Sequence, residues 1–314
     1  MTLKYFVTGG VGFVGSHLVD RLVNMGEVTV YDNLTSGRKE FLQQHFGKSN
    51  FRFIEADLLN FDVLSEAIAH HDMVFHLAAN FDVRAGITNT RLDLQQGVLA
   101  TYNVLEAMRL KQVDKIVFAS SSTVYGEAGT RAVAEDYGPL LPISFYGASK
   151  LACEGFISAF RHIFDMQAWI FRFANVVGSR ANHGVISDFI GKLKQNSGEL
   201  EILGDGTQEK PYLYVDDCVH GILFGLGHFQ EQINVLNLGT DAFTNVTAIA
   251  NMVVKAMGLS RVEFKYTGGN RGWKGDVPQV RFDMTKMENS GWKARYNSDE
   301  AVRQAIKDTL SNNE

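Results

Sequence analysis

Tyr146 and Lys150 carry the spacing with the clearest chemical meaning. They lie in Ser144-Phe145-Tyr146-Gly147-Ala148-Ser149-Lys150, which opens a helical pattern running to about Phe164. Residues four apart on a helix project from one face, one turn above the other, so a phenol and an ammonium can stand side by side. A free tyrosine has a pKa of about 10 and is a poor base at neutral pH. A neighbouring positive charge favours the phenolate and brings it toward the range of a general base. The same pair on a solvated helix face would be an ordinary surface contact, so the elements around it decide its meaning. A hydroxyl-rich turn, Ser120-Ser121-Ser122-Thr123-Val124-Tyr125-Gly126, precedes it and closes the apolar strand Lys115-Ile116-Val117-Phe118-Ala119. Such clusters often do no more than cap and turn; here the cluster lies where a strand–loop–helix unit would place an active-site loop.

The N-terminal region supplies a second pattern. Lys4-Tyr5-Phe6-Val7-Thr8 reads as a buried strand and Ser16 to Asn24 as a helix, with Gly9-Gly10-Val11-Gly12-Phe13-Val14-Gly15 between them. Glycines at 9, 12 and 15 allow a tight turn, close approach of a pyrophosphate to backbone, and close helix–strand packing. The phosphates would meet unpaired N–H groups at the positive end of the helix dipole. The next strand, Glu27-Val28-Thr29-Val30-Tyr31, ends on Asp32. A carboxylate there can accept both ribose hydroxyls of an adenosine and repels a 2′-phosphate, which favours NAD over NADP. Arg38, close in sequence, works against that preference.

Further strands read at Phe51–Ala56, ending on Asp57, which could touch adenine, and at Met73–Ala79, whose small terminal residues leave room for a cofactor. His76 sits within that apolar run and reads as a hydrogen-bonded core histidine. Leu92 to Arg109 reads as one long helix carrying Asn103. Strands alternating with helices predict a doubly wound parallel sheet of the Rossmann type, binding ligands beyond the strands' carboxyl ends.

Bulk properties exclude other classes. The 314 residues suffice for about two domains. Hydrophobic and charged fractions of 45% and 21% are those of a globular protein, and the net charge of −5 without a basic run argues against nucleic-acid binding. Cys153 and Cys218 fall in helical patterns and suggest neither a disulfide framework nor a zinc pair. His70-His71 has no carboxylate or cysteine at ligand spacing, so no metal is expected. No charged leader or membrane-length apolar run is evident, and a cytoplasmic protein is expected.

Taken together, the chain resembles the extended short-chain dehydrogenase/reductase family, and within it the nucleotide-sugar epimerases. The likeness rests on Thr8-Gly9-Gly10-x-Gly12-Phe13-x-Gly15, Asp32-Asn33-Leu34-x-Ser36-Gly37, His76-Leu77-Ala78-Ala79, Ser121-x-Thr123-Val124-Tyr125-Gly126, Tyr146-x-x-x-Lys150, Asn175-x-Val177-Gly178, Gly204-Asp205-Gly206 and Tyr214-Val215-Asp216-Asp217. The resemblance implies NAD as cofactor, held by Gly9, Gly12, Phe13, Val14, Gly15, Asp32, Asn33, Leu34, Thr35, Ser36, Gly37, Asp57, Leu58, Leu77, Ala78, Ala79, Asn103, Tyr146 and Lys150. It makes Tyr146 the acid/base on the sugar 4-hydroxyl. Lys150 would bind nicotinamide ribose and depress the tyrosine pKa, and Ser121, with Thr123, would hold the same sugar oxygen. The family reaction takes the proton at O4 and a hydride from C4 to NAD; the 4-keto sugar turns and receives the hydride on its other face.

The resemblance also implies a partition and a partner. Residues 1–174 would bind NAD, with a returning segment near 213–240, and residues 175–212 and 241–314 would form a smaller mixed α/β substrate domain. Ser121, Thr123, Tyr146, Asn175, Val185, Leu203, Lys210, Tyr212 and Arg271 would meet the nucleotide-diphosphate sugar. Helices near 92–110 and 146–164 would pair two copies into a homodimer.

Departures from the family narrow the activity. Dehydratases carry Asp-Glu where this chain has Ser122-Thr123, and decarboxylases carry Glu at the second position; without that carboxylate, simple epimerisation is favoured over elimination. Family members often have Arg where Lys210 and Trp273 stand, and arginine grips a pyrophosphate through a fork that lysine lacks. Arg271 and Lys274 flank the second gap. Hexuronate 4-epimerases tend to carry Arg where Asn182 stands, which leans the substrate toward neutral hexoses such as UDP-glucose and UDP-galactose, with hexuronates and N-acetylhexosamines as alternatives. A nucleotide-sugar reductase and a catalytically silent dinucleotide sensor are the remaining alternatives.

Overall fold

The computed structural model describes residues 2–311. Seven strands form its main sheet: β1 (Leu3–Thr8), β2 (Gly26–Asp32), β3 (Phe51–Glu55), β4 (Met73–His76), β5 (Lys115–Ser121), β6 (Gln167–Phe173) and β7 (Ile233–Leu238). Their spatial order is β7-β6-β5-β4-β1-β2-β3, with β1 paired parallel to both β2 and β4. The chain therefore runs outward from β1 to β3, then crosses back to start again at β4. A parallel pair needs a crossover, and helices packed on both faces bury both sides of each strand. That is why Phe6, Val7, Val74, Phe75, Ile116 and Phe118 read as unbroken apolar runs and are all buried here. The reversal of strand order between β1 and β4 leaves a crevice beyond their carboxyl ends.

Five helices matter for the site: α1 (Phe13–Leu22), α2 (Phe61–Ile68), α3 (Ala100–Lys111), α4 (Phe145–Phe164) and α5 (Val215–His228). Helix α4 starts where Ser144 accepts a hydrogen bond from Gly147 N at 3.0 Å, the local N-cap that fixes the first turn carrying Tyr146.

The long helix expected from Leu92 to Arg109 is interrupted. A single α-turn at Arg91–Asp93 leads into wide π-type turns over Leu94–Leu99, and α3 follows. The reason is visible at Gly97, where an added Cβ would stand 2.8 Å from Ser149 Oγ on α4. The widened turn presses bare backbone against the catalytic helix, which a regular helix with a side chain there would not do.

The chain divides into two compact units: residues 1–124, 144–172 and 222–236 form one, and residues 125–143, 173–221 and 237–314 the other. The compact units differ from the expected cofactor and substrate partition in grouping 125–143 with the second unit. Ala132–Val133 pairs with Arg281–Phe282, so the chain beyond the hydroxyl-rich turn is tied to the second unit. The expected return at 213–240 is likewise narrower, because 213–221 and 237–240 group with the second unit. The second unit is built from two-stranded sheets, Asn175–Val177 with Tyr212–Tyr214 and Glu199–Ile202 with Glu263–Tyr266, and the helices Val185–Gln195, Val246–Ala256 and Ser298–Ser311. Among the described residues no helix is long and apolar enough to cross a membrane, and no cluster of His, Cys, Asp and Glu could hold a metal ion.

The glycines after β1 differ in what they tolerate. A Cβ on Gly15 would overlap Gly9 O, whereas one on Gly12 meets only Gly9 O at 3.1 Å and otherwise points into open space. Gly15→Ala should lower unfolding free energy by roughly 3 kcal/mol, the upper range for overpacking. Gly12→Ala should stay within about 1 kcal/mol of the parent in the same denaturant titration.

Candidate functional site

The carboxyl ends of β1, β2 and β4 gather the residues expected to hold a dinucleotide. Gly9 adopts φ +70°, and a Cβ there would strike Ala78 N, so the β1 turn lies directly against the small residues ending β4. Leu77 N donates to Thr8 O at 3.2 Å, which fixes that approach. Asp32 ends β2 half-buried, accepting from Leu34 N at 2.9 Å and Val11 N at 3.3 Å. Burial raises its pKa, while the two N–H bonds oppose that shift. Asn33 Nδ2 donates to Asp57 at 2.9 Å, Thr35 donates to Asn33, and Leu59 N donates to the other Asp57 oxygen at 2.8 Å. Asn103 reaches from α3 to Leu58 O at 2.9 Å, making it a brace for this loop. Phe13 and Val14 begin α1, and Ser36-Gly37 lies against Val11, which a Cβ on Gly37 would strike.

This arrangement fits a dinucleotide. The open side of Gly12 at the start of α1 offers a cradle for a pyrophosphate, and the Asp32 carboxylate lies at the end of the neighbouring strand. Arg38 is exposed and its backbone N donates to Val11 O.

The groups expected to react lie on β5 and α4. Ser121, the last residue of β5, accepts hydrogen bonds from Thr123 N at 3.2 Å and Thr123 Oγ1 at 3.0 Å, and its hydroxyl lowers the pKa of the Tyr146 phenol. Lys150, only 3% exposed, donates to Ala119 O at 2.6 Å, with Nζ 4.8 Å from the Phe118 ring centroid and 5.7 Å from that of Tyr146. The structure thus brings Ser121, Thr123, Tyr146 and Lys150 together as the spacing predicts.

The direction of the tyrosine shift is a correction. A depressed pKa was expected, yet burial pushes the Tyr146 phenol up to about 12, the Asp93 carboxylate adds to this, and only the Ser121 hydroxyl lowers it. The ammonium is spent on the Ala119 carbonyl, and desolvation brings Lys150 itself down to about 8. The protein alone holds Tyr146 as a neutral phenol that keeps its proton.

His76 is a core residue. Its ring nitrogens bond Thr8 Oγ1 at 2.7 Å and Thr101 Oγ1 at 2.9 Å, and burial with the Lys150 charge brings its pKa to about 3, so it stays neutral. Cys153 and Cys218 are buried free thiols.

The residues expected to meet substrate beyond the reacting centre lie in the second unit. Asn175 is opposite Tyr212 in the pair of strands. Lys210 Nζ contacts Asp276 Oδ1 at 2.5 Å and lies 5.3 Å from the Trp273 ring centroid. Arg271 donates to Asp276 O at 2.9 Å and to Glu127 at 2.5 Å. Leu203 O accepts from Gln208 Nε2 at 3.2 Å, and a Cβ on Gly204, the next residue, would strike that amide and the Arg271 carbonyl. So Leu203, Lys210 and Arg271 form one cluster in which both cations already have carboxylate partners. Val185 opens the helix Val185–Gln195.

Sequence reasoning missed four residues around the reacting pair. Glu154 and Arg172 form a buried ion pair at 2.7 Å, and Ser120 donates to Glu154 at 2.5 Å. Asp93 is buried with Oδ1 accepting from Asn80 at 3.0 Å. Glu154 stands four residues beyond Lys150 on the same helical face, a signal that was available; Asp93 and Arg172 come from distant segments and carried none.

Comparison with known proteins agrees with this geometry. The family described as the NAD dependent epimerase/dehydratase family matches residues 5–239. The chain belongs to that family. It is 38% identical to a solved UDP-galactose 4-epimerase, with a TM-score of 0.86 over 99% of both chains. A UDP-glucose 4-epimerase of Mycolicibacterium smegmatis is 31% identical over 97% of each protein. The UDP-glucuronic acid 4-epimerase of Bacillus cereus, solved with UDP-glucuronic acid and NAD, is 28% identical with a TM-score of 0.88, covering 99% of this chain and 100% of that one.

In this family member the Glu154–Arg172 pair is buried and also holds Ser120, next to Ser121. Glu154→Gln removes the carboxylate charge facing a buried guanidinium and should cost about 3–5 kcal/mol in a denaturant titration.

Proposed function

We propose that this protein is an NAD-dependent nucleotide-sugar 4-epimerase, interconverting UDP-glucose and UDP-galactose through a transient 4-keto sugar. The observation that carries this reading is Lys150 Nζ buried 5.7 Å from the Tyr146 ring centroid and anchored to the strand that ends on Ser121, with no carboxylate at Ser122 or Thr123. Bound NAD would take the C4 hydride and return it to the other face, and its positively charged oxidised ring would favour the phenolate.

The chain's own residues handle the proton. Ser121 and Thr123 hold the sugar 4-oxygen, and Tyr146 takes its proton and later gives it back. Lys150 fixes the nicotinamide ribose and supplies the charge that steadies the phenolate. Asp32 accepts the adenosine ribose hydroxyls, which supports NAD over NADP. In the second unit, Lys210 and Arg271 serve the diphosphate, Asn175 and Tyr212 the sugar or phosphates, and Leu203 and Val185 the base.

A lid or loop acid would be needed to eliminate water or support decarboxylation, and the threonine at 123 supplies none, so epimerisation is the better reading. Relatives acting on UDP-glucuronic acid keep a hexuronate as the second substrate to assay. The two buried, unpaired thiols suit a reducing, cytoplasmic compartment.

The same reading includes a homodimer. Leu99 just before α3, Tyr102 and Leu110 along it, and Phe156, Ile163 and Phe164 on α4 are exposed, and Tyr102 packs edge-on to Phe156 at 5.9 Å. A continuous apolar face of this kind is what an interface between copies requires. Ile163→Asp should convert the dimer to a monomer in light scattering; a wild type already monomeric at micromolar concentration refutes the pairing.

Purified protein incubated with UDP-glucose, without added NAD, should yield UDP-galactose by chromatography. Tyr146→Phe should keep its NAD absorbance and lose about a thousandfold in turnover, within the range for a removed acid/base. Near-normal turnover would overturn the assignment.

A further inference from the structure

Stability alone does not account for the ion pair buried under the helix that carries Tyr146. Packed apolar residues in place of such a pair are often neutral or stabilising, so its presence points to a demand for geometry. Glu154, 7% exposed on α4, accepts twice from Arg172 on β6: from Nε to Oε1 at 3.1 Å and from Nη2 to Oε2 at 2.7 Å. A two-pronged contact fixes the plane of the carboxylate as well as its place. Oε1 also accepts from the Ser120 hydroxyl on β5 at 2.5 Å. Ser120 is 2% exposed, and a hydroxyl has one proton to give. That proton is committed to the carboxylate and is not offered to a ligand.

Helix α4 holds the other half of the arrangement. Tyr146, Lys150 and Glu154 follow one another at intervals of four and share a face. Lys150 Nζ donates to Ala119 O at 2.6 Å, and Glu154 accepts from Ser120, the next residue of the strand. One tie would let the helix pivot over the strand, whereas two ties a helical turn apart fix both its height and its rotation. Apolar packing between the two elements is non-directional and sets neither. Because β6 neighbours β5 in the sheet, Arg172 braces the same carboxylate from the adjacent strand. The bonds from Thr123 to Ser121 lie within the turn itself, so they shape that turn without tying it to α4. Ser121 directly follows Ser120, at the point where the strand ends.

We propose that Ser120 is a positioning residue: its bond to the Glu154–Arg172 pair sets where β5 delivers Ser121 relative to the α4 face that carries Tyr146. The inference rests on the reading of Ser121 and Tyr146 as the groups that meet the sugar 4-oxygen. Ser120 touches neither sugar nor cofactor in that reading and acts through the residue beside it. A strand end misplaced by about 1 Å is enough to cost roughly a hundredfold in a step that depends on alignment.

The test is Ser120→Ala, which removes the hydroxyl and leaves both Arg172–Glu154 bonds in place. With UDP-glucose, the variant should keep its NAD and a KM within about twofold of the parent's, while kcat falls roughly ten- to a hundredfold. An unchanged kcat overturns the proposal, and so does a loss of turnover in step with raised KM and shed NAD, the signature of a loosened fold. The same substitution is then placed in Ser121→Ala. With the aimed hydroxyl gone it should cost less than about twofold more, and an equal loss in both backgrounds overturns the proposal. Crystal structures of the NAD-bound parent and Ser120→Ala read the geometry directly. Superposed on α4, Ser121 should move by more than about 0.5 Å, the tolerance of a productive site; a Ser121 left in place overturns the proposal. That comparison needs no turnover, so a wild type inactive on nucleotide sugars would sink the epimerase reading while the positioning is still decided.

Discussion

Lys150 is an ammonium held in a place that water does not reach, and much of the first unit is arranged around that cost. Its Nζ bonds the Ala119 carbonyl at 2.6 Å and rests over Phe118, both on β5. The strand that ends in Ser121 therefore also anchors the lysine that serves Tyr146. Moving either element would separate the hydroxyl that lowers the phenol's pKa from the cation behind it. Burial drives the two groups in opposite senses, tyrosine up and lysine down, because in each case it disfavours the charged form. The resting state is a neutral phenol that holds its proton more tightly than free tyrosine, beside an ammonium that loses its own more readily. A base at Tyr146 needs a further favourable charge, and the chemistry proposed for the site supplies one at the nicotinamide.

The dinucleotide end rests on a different constraint, close backbone approach. Gly9 and Gly15 are compressed against Ala78 and Gly9 O, while Gly12 faces outward. Substituents are excluded where β1, β4 and α1 converge and permitted where a ligand would lie. Asp32, Asn33 and Asp57 then knit the loops after β2 and β3 through hydrogen bonds to one another and to backbone N–H groups. This rim is preorganised by its own polar contacts, so a ligand arriving there replaces water without first ordering the chain.

The second unit shows how a family position can change residue and keep its electrostatic sense. Lys210 is clasped by the buried Asp276 and lies over Trp273, and Arg271 spans Glu127 and the Asp276 carbonyl. A lysine's single nitrogen cannot face a carboxylate and a phosphate as a guanidinium fork can.

The chain's own order of residues determined the doubly wound sheet, because unbroken apolar strands, glycines between β1 and α1 and an acid ending β2 are local patterns with local causes. It also determined that Tyr146 and Lys150 stand together, since four residues on a helix fix a common face whatever surrounds them. Three things were decided only in three dimensions. The helix before α3 widens at Gly97 because Ser149 of a distant helix occupies the space of a side chain. The segment 125–143 joins the second unit because its strand partner lies at Arg281–Phe282. The pKa of Tyr146 rises where spacing alone suggested a fall, because burial and Asp93 act against a lysine already bonded elsewhere. Periodicity reports which face a residue occupies; desolvation and long-range charge depend on everything packed against that face, and no linear pattern encodes it.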